Sequence, residues 1–268
     1  MGKISKLLKA LTLIVKQPAL LNKVLDDEDV NRTEVIRKFG LTEGLPVISY
    51  PSVVPVKQVV APYCAMEGGS TPIDLALLKG LASSKKDCDY FEIGTWRGES
   101  AANVAAVSRT CTTLNLPDST LLEMGFDKRY VALHRFFSKG LSNVTHLFGN
   151  SLKYDFSSLE KKFDLIFIDG DHHFESVKSD TMNAFKLMKD ENSVIVWHDY
   201  GHDPSNIRWD VLRGIMEGTP EHLRKNLYRV SNTLCAVYMR NAPAAEPQKA
   251  FTDPRHFFSI EVDCQPLR

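Results

Sequence analysis

Tyr90-Phe91-Glu92-Ile93-Gly94-Thr95-Trp96-Arg97-Gly98-Glu99-Ser100 is the stretch that decides the fold. A short apolar run ends in a turn punctuated by two glycines, and a helical pattern begins at once. A buried parallel strand that feeds a helix reads this way. In a doubly wound sheet, ligands bind beyond the carboxyl ends of such strands. The spacing is G-x-x-x-G, with Thr95, Trp96 and Arg97 between the glycines. A dinucleotide fingerprint requires G-x-G-x-x-G, and a P-loop requires GK[ST] after its glycines. Neither is present, which disfavours a pyrophosphate cradle; the turn is a crevice for another ligand or only a tight strand-to-helix connection.

On either side of this turn, strand-like and helix-like segments alternate. Thr71-Pro72-Ile73-Asp74 opens a helix with a hydroxyl cap, a proline at the first position and an acid in the first turn. Strands are predicted over 89–93, 111–116, 144–148, 163–168 and 193–197, with helices over 100–108, 119–138, 174–188 and 207–216. A last strand pair, 226–230 and 234–240, surrounds Ser231-Asn232-Thr233. This order predicts an α/β fold, a doubly wound, mostly parallel seven-stranded sheet with one antiparallel strand at its end.

Residues 1–60 read as an N-terminal helical extension and linker, 61–241 as the main domain and 242–268 as a proline-punctuated tail. Within the extension, helices are expected up to Lys16, from Pro18, and over 30–39; the acidic patch Asp26–Asp29 is read as a break and 45–60 as an extended connection. Lys3, Lys6 and Lys9 precede the apolar run Ala10–Val15, but Lys16 cuts it short and no small-residue cleavage site follows. Ile4, Leu7, Leu8, Leu11, Ile14 and Val15 share one helical face, opposite Lys6, Lys9 and Lys16. This helix packs on the body or on a second subunit of a homo-oligomer, or lies on an anionic membrane as a peripheral contact.

The 268 residues are 43% hydrophobic and 25% charged, the profile of a soluble globular protein. Lys+Arg and Asp+Glu are both 33, so nothing electrostatic argues for nucleic acid as partner. The five cysteines, Cys64, Cys88, Cys111, Cys235 and Cys264, are scattered without a CxxC pair. They read as reduced thiols, and the expected location is cytoplasmic.

A second constellation is more specific. Phe163-Asp164-Leu165-Ile166-Phe167-Ile168-Asp169-Gly170-Asp171-His172-His173-Phe174-Glu175-Ser176 delivers carboxylates and histidines to a strand's carboxyl end. Val194-Ile195-Val196-Trp197-His198-Asp199-Tyr200-Gly201-His202 does the same one crossover later. Strands joined by one crossover are neighbours, so both clusters share a rim. Helix capping by Asp171 explains one cluster alone but not both.

Together with the glycine turn, these segments resemble motif I and the fourth and fifth strands of class I S-adenosylmethionine (SAM) methyltransferases. F-D-L-I-F-I-D-G-D-H-H-F-E-S-V followed by V-I-V-W-H-D-Y resembles the methyltransferase type 24 family of O-methyltransferases over about residues 68–240. The chain is also similar to proteins of bacterial surface-polysaccharide clusters, a context the resemblance alone implies. It implies a SAM site built from Glu92, Gly94, Thr95, Gly98 and Ser100 on the methionine side. Asn115 takes the ribose position, where the family has an acid, with Asp118 as the alternative. Gly149, Asn150 and Ser151 face the adenine, and Asp169 closes the site. Metal-dependent relatives imply that Asp169 and Asp199 hold a divalent cation, Mg²⁺ or another; Tyr200 stands where their third ligand would be, and His198, or else His172, His173 or His202, would complete the site for a softer metal.

The reading is a SAM-dependent O-methyltransferase of a sugar or another small hydroxylated acceptor, free or glycan-borne. His173 is the preferred base and His172 the alternative; Asp169 and Asp199 orient the base or hold metal. Arg208 and Trp209 shape the acceptor side or simply solvate and pack, and His134 and His146 are packing or surface histidines. A metal-dependent hydrolase or hydroxylase-like enzyme on this scaffold, or a non-catalytic SAM-fold scaffold, are the alternatives.

Overall fold

The structure is a computed structural model and describes residues 2–16, 28–66, 68–202, 204–249 and 254–266. The helix expected from Pro18 lies outside the described residues. At the centre is β2 (Asp89–Ile93), all five residues of which are buried. It pairs in parallel with β3 (Thr110–Asn115) and β5 (Leu165–Ile168). Next to β3 lies β4 (Val144–Phe148), and next to β5 lies β6 (Val194–Trp197), again parallel. Beyond β6 come β8 (Ala236–Tyr238) and β7 (Leu227–Val230), each antiparallel to its predecessor.

These are the seven expected strands. Two short ones extend the edge: β1 (Val47–Ile48), parallel to β7, and β9 (Ala245–Glu246), antiparallel to β1. The sheet therefore has nine strands in the order β4-β3-β2-β5-β6-β8-β7-β1-β9. A two-residue strand carries no alternation, so β1 and β9 have no periodic signature in the sequence.

The pleat of β2 sends alternate side chains to opposite faces. Phe91 and Ile93 join the core beneath α8 (Phe174–Leu187) and α9 (Trp209–Gly218), with Val177, Ala184, Leu212 and Ile215. Tyr90 joins the core beneath α4 (Pro72–Ser83) and α5 (Glu99–Ala105), with Leu77, Leu78, Leu81 and Val104. Both faces are covered, which is why β5 and β6 read as continuous apolar runs.

Local rules explain where the elements depart from expectation. Glu28 and Asp29 do not break the chain but open α2 (Glu28–Phe39), since acids in a first turn favour a helix N-terminus. Val35 of α2 is fully buried, Asn31 bonds both Asp210 and Arg213, and Lys38 reaches Glu217, so α2 is stitched to α9. The connection 45–60 holds β1 and the short α3 (Tyr50–Val53). The single helix expected over 119–138 is two, α6 (Asp118–Glu123) and α7 (Lys128–Ala132). Gly125 turns the chain between them at φ +90°, and Asp127 caps the second by accepting from the Arg129 amide at 2.7 Å.

At the order reversal of the sheet, β2 and β5 run side by side. There Gly94 has φ +88°, and a Cβ on it would stand 2.1 Å from the Asp169 carbonyl oxygen. Gly94→Ala is expected to lower unfolding stability in urea by about 2–5 kcal/mol, from backbone strain plus overpacking. A loss below about 1 kcal/mol would show that the loop relaxes freely.

Candidate functional site

The turn after β2 is fastened by backbone. The Gly94 amide donates to Leu114 at 2.9 Å, Gly98 to Thr95 at 2.7 Å, and the Arg135 and Phe137 amides to Trp96 and Arg97 at 2.6 and 2.9 Å. Arg97, almost wholly buried, pairs with Glu99 at 3.2 Å, and Glu99 accepts from the Cys64 amide at 3.1 Å. Gly98 (φ +81°) lets the chain pass Ser138, whose Oγ would lie 2.3 Å from a Cβ there.

Within this frame, among the described residues, three buried polar atoms make no well-aligned hydrogen bond: Glu92 Oε1, Thr95 Oγ1 and Trp96 Nε1. Buried polar groups are nearly always bonded, so three orphans on one turn mark a place for a ligand. Glu92 is fully buried and accepts from the Tyr90 hydroxyl at 2.5 Å. Burial pushes its carboxyl up to about 8 and nearby Asp169 adds to the rise, against the hydrogen bonds of Tyr90 and Ser100.

The rim beyond β5 and β6 centres on His198. Its Nε2 lies 3.3 Å from Asp74 Oδ2; its Nδ1 lies 3.2 Å from Asp169 Oδ1 and 3.4 Å from Asp199 Oδ2. The latter two are charge contacts without hydrogen-bond alignment. Burial alone would lower the imidazole's pKa, but the three carboxylates outweigh it and hold the value well above the usual histidine range. Asp199 is pulled the other way: burial raises it, while His198, His172 and Arg208 bring it down to about 2. His172 Nε2 contacts Asp199 Oδ2 at 3.0 Å, and Arg208 Nη1 approaches the same oxygen at 3.5 Å. The side chains of Asp169, His172 and Asp199 are 24%, 32% and 26% exposed, open to a small solute.

Asp74 is the rim residue that sequence reasoning missed. Its T-x-x-D spacing is legible as a capping box, and the structure shows both bonds: the Thr71 amide donates to Asp74 Oδ2 at 2.9 Å and the Asp74 amide to Thr71 Oγ1 at 3.2 Å. The same carboxylate also receives the Leu234 amide at 2.9 Å and faces His198. Nothing along the chain links Asp74 to residues 198 and 234. Asp180, buried on α8, is a second residue without a sequence signal; burial pushes its carboxyl up to about 7 against a hydrogen bond from Ser151.

The structure sorts the remaining candidates. His173 is 85% exposed, occupies the N-cap of α8 and contacts Asp171 at 2.5 Å. His202 is exposed. Tyr200 is fully buried, and its hydroxyl accepts from the Leu45 amide at 2.8 Å. Trp209 is a core residue under the Arg32 guanidinium, so it packs and does not line the rim. Ser100 is buried in the first turn of α5. Asn115, half-buried at the end of β3, has its amide nitrogen 3.1 Å from His134 Nδ1, leaving its oxygen available. His134 is thus a buried neighbour of the expected ribose position, and His146 packs between Thr113 and Ser138. Asp118 is engaged by Arg135 at 2.6 Å. After β4, Asn150 accepts from the Leu152 amide at 3.0 Å, and Ser151 is half-buried beside it.

A family model described as a methyltransferase domain matches residues 91–200, which span the turn and the rim. No curated protein matches the chain. Among solved structures, the chain is similar to an O-methyltransferase from Bacillus cereus in complex with SAH, at 17% identity over 65% of this chain and 84% of that one, TM-score 0.44. It is similar to the O-methyltransferase TomG from Streptomyces achromogenes, at 17% identity over 64% and 81%, TM-score 0.43. It is also similar to the methyltransferase PaMTH1 from Podospora anserina, at 15% identity over 67% and 83%, TM-score 0.47.

Two measurements test the rim. Asp74→Asn is expected to cost about 3 kcal/mol or more, because it leaves a buried imidazolium short of one counter-charge. The pH profile follows from the directions above. With its folded pKa raised, His198 contributes stability that is fully present below about 6.5 and lost as pH rises through the folded value. Glu92, also raised, acts in the same direction between 4.5 and about 8. Asp199, lowered, contributes stability present above 3.8 and lost as pH falls toward about 2. Urea stability should therefore decline into the alkaline range, and His198→Gln should flatten that decline. An unchanged alkaline limb in the variant would show that His198 is neutral in the fold.

Proposed function

We propose, from a methyltransferase domain over residues 91–200, that this chain is a SAM-dependent O-methyltransferase acting on a hydroxyl of a sugar or another small polyol. The observation that carries this reading is one sheet edge bearing both a turn with three unsatisfied buried polar atoms and a half-open His/Asp rim.

The turn's residues fit the cofactor. Glu92, Thr95 and Trp96 offer an acceptor, a hydroxyl and an N–H that the protein leaves unused. Asn115 offers a neutral oxygen for a ribose hydroxyl, without the charge assistance of a carboxylate. Gly149, Asn150 and Ser151 stand on the adenine side. When bound, SAM supplies an activated methyl group for in-line displacement, so the protein's task is to align the acceptor and free a lone pair on it.

His172 is the base this arrangement favours over His173, because it sits on the rim. Its Nε2 is engaged by Asp199, which leaves Nδ1 to take the acceptor's proton. Asp199, held ionised by His198 and Arg208, stabilises the imidazolium that forms. Asp169, held by His198, and Arg208 orient the acceptor's other hydroxyls.

Asp169, His172 and Asp199 bring donor atoms within 4.8 Å of one another, a spacing that would suit a metal. Their chemistry does not suit a hard cation. It prefers an all-oxygen cage, whereas here both carboxylates are neutralised by His198 and Arg208, and Tyr200 is turned into the core. The proposed mechanism therefore calls on no hard cation.

Calorimetry should show SAM and S-adenosylhomocysteine binding, lost in Gly94→Arg; absence of any heat with the native chain would sink the cofactor assignment. In assays of S-adenosylhomocysteine release with a panel of sugars, His172→Ala should lower kcat by roughly 10²–10⁴ without weakening SAM binding. His173→Ala should change it by less than about threefold. Chelation should leave turnover intact; loss restored by Mg²⁺ would favour the metal-assisted route through Asp169, His172 and Asp199.

A further inference from the structure

The helix α1 (Lys3–Lys16) has no buried residue, yet it is strongly two-faced. Ile4, Leu7, Leu8, Leu11 and Val15 lie on one side, each half or more exposed, with Ile14 beside them. Lys6, Lys9 and Lys16 occupy the other side, with Lys3 at the boundary. The helix carries no acid, and none occurs in the sequence before Asp26. No helix among the described residues is long and apolar enough to cross a membrane.

These observations separate the occupants of the aliphatic face. A helix that covers its apolar face with the protein body would bury those residues, and α1 buries none. A second copy would cover the aliphatic face but leave Lys6, Lys9 and Lys16 on the far side without a counter-charge, since α1 carries no carboxylate. An anionic bilayer satisfies both faces. The aliphatic side chains enter the boundary between headgroups and acyl chains, and the lysine stems reach along the helix to place ammonium groups among lipid phosphates. Net charge does not oppose this, because the chain as a whole is formally neutral while the segment before Asp26 carries lysines and no acid.

We infer that α1 is an in-plane anchor that binds the surface of an anionic phospholipid bilayer, aliphatic face down and lysines at the headgroups. The anchor is independent of the methyl-transfer reading, since none of its residues belongs to the turn or the rim.

Flotation of the full chain with vesicles tests it. The protein should float with phosphatidylcholine vesicles containing phosphatidylglycerol and stay behind with phosphatidylcholine alone, with partitioning that weakens as salt is raised. Leu7→Glu/Leu11→Glu should abolish flotation, and Lys6→Glu/Lys9→Glu should reduce it by at least about tenfold. Because no residue of α1 is buried, both variants should keep the native melting curve. Three outcomes overturn the inference: no flotation with anionic vesicles, flotation indifferent to both variants, or a stable dimer in sedimentation that the leucine variant dissolves.

Discussion

A buried imidazolium among carboxylates holds the working edge of this protein together. His198 sits at the end of β6, but its partners come from three other places: Asp74 on α4, Asp169 after β5 and Asp199 beside it in the chain. A charge removed from water is tolerable only when it is compensated. The first turn of α4, the β5 loop and the β6 loop are therefore tied at one point. Asp199 takes a left-handed backbone (φ +55°), after which Tyr200 enters the core and bonds to Leu45.

The turn after β2 leans on that same point. Gly94 lies against the Asp169 carbonyl, and the Asp169 amide donates to Ile93 at 2.8 Å. The turn and the rim are thus joined through one residue, Asp169, whose carboxylate serves the rim while its backbone packs the turn. Such an arrangement is pre-organised. In the proposed reaction its groups would be set by neighbours already in place, which is what an in-line transfer demands of its scaffold.

Most of the fold was legible because buried parallel strands and amphipathic helices leave periodic traces. The seven long strands, α4 with its cap, and α8 all follow from pattern and punctuation. The site was legible in kind: Asp169, His172, His198 and Asp199 stand out as a polar cluster at strand ends. Its internal order was not. Adjacent His172 and His173 are indistinguishable in sequence, yet one faces Asp199 and the other turns to Asp171 and solvent. Trp209 looks equally suited to a pocket wall and to the core, and packing against α2 decides for the core.

By itself, then, the amino-acid sequence determined the alternation of strands and helices, the two glycines that let the turn form, and the residue types gathered at one sheet edge. These are local consequences of hydrophobic period, backbone freedom and short-range capping. Only the tertiary structure decided which of those residues meet. The counter-charge from Asp74 and the selection of His172 over His173 depend on separations of 124 residues or on the direction of one helix start. No local rule carries that information, because charge pairing acts through space and is set by how the layers close.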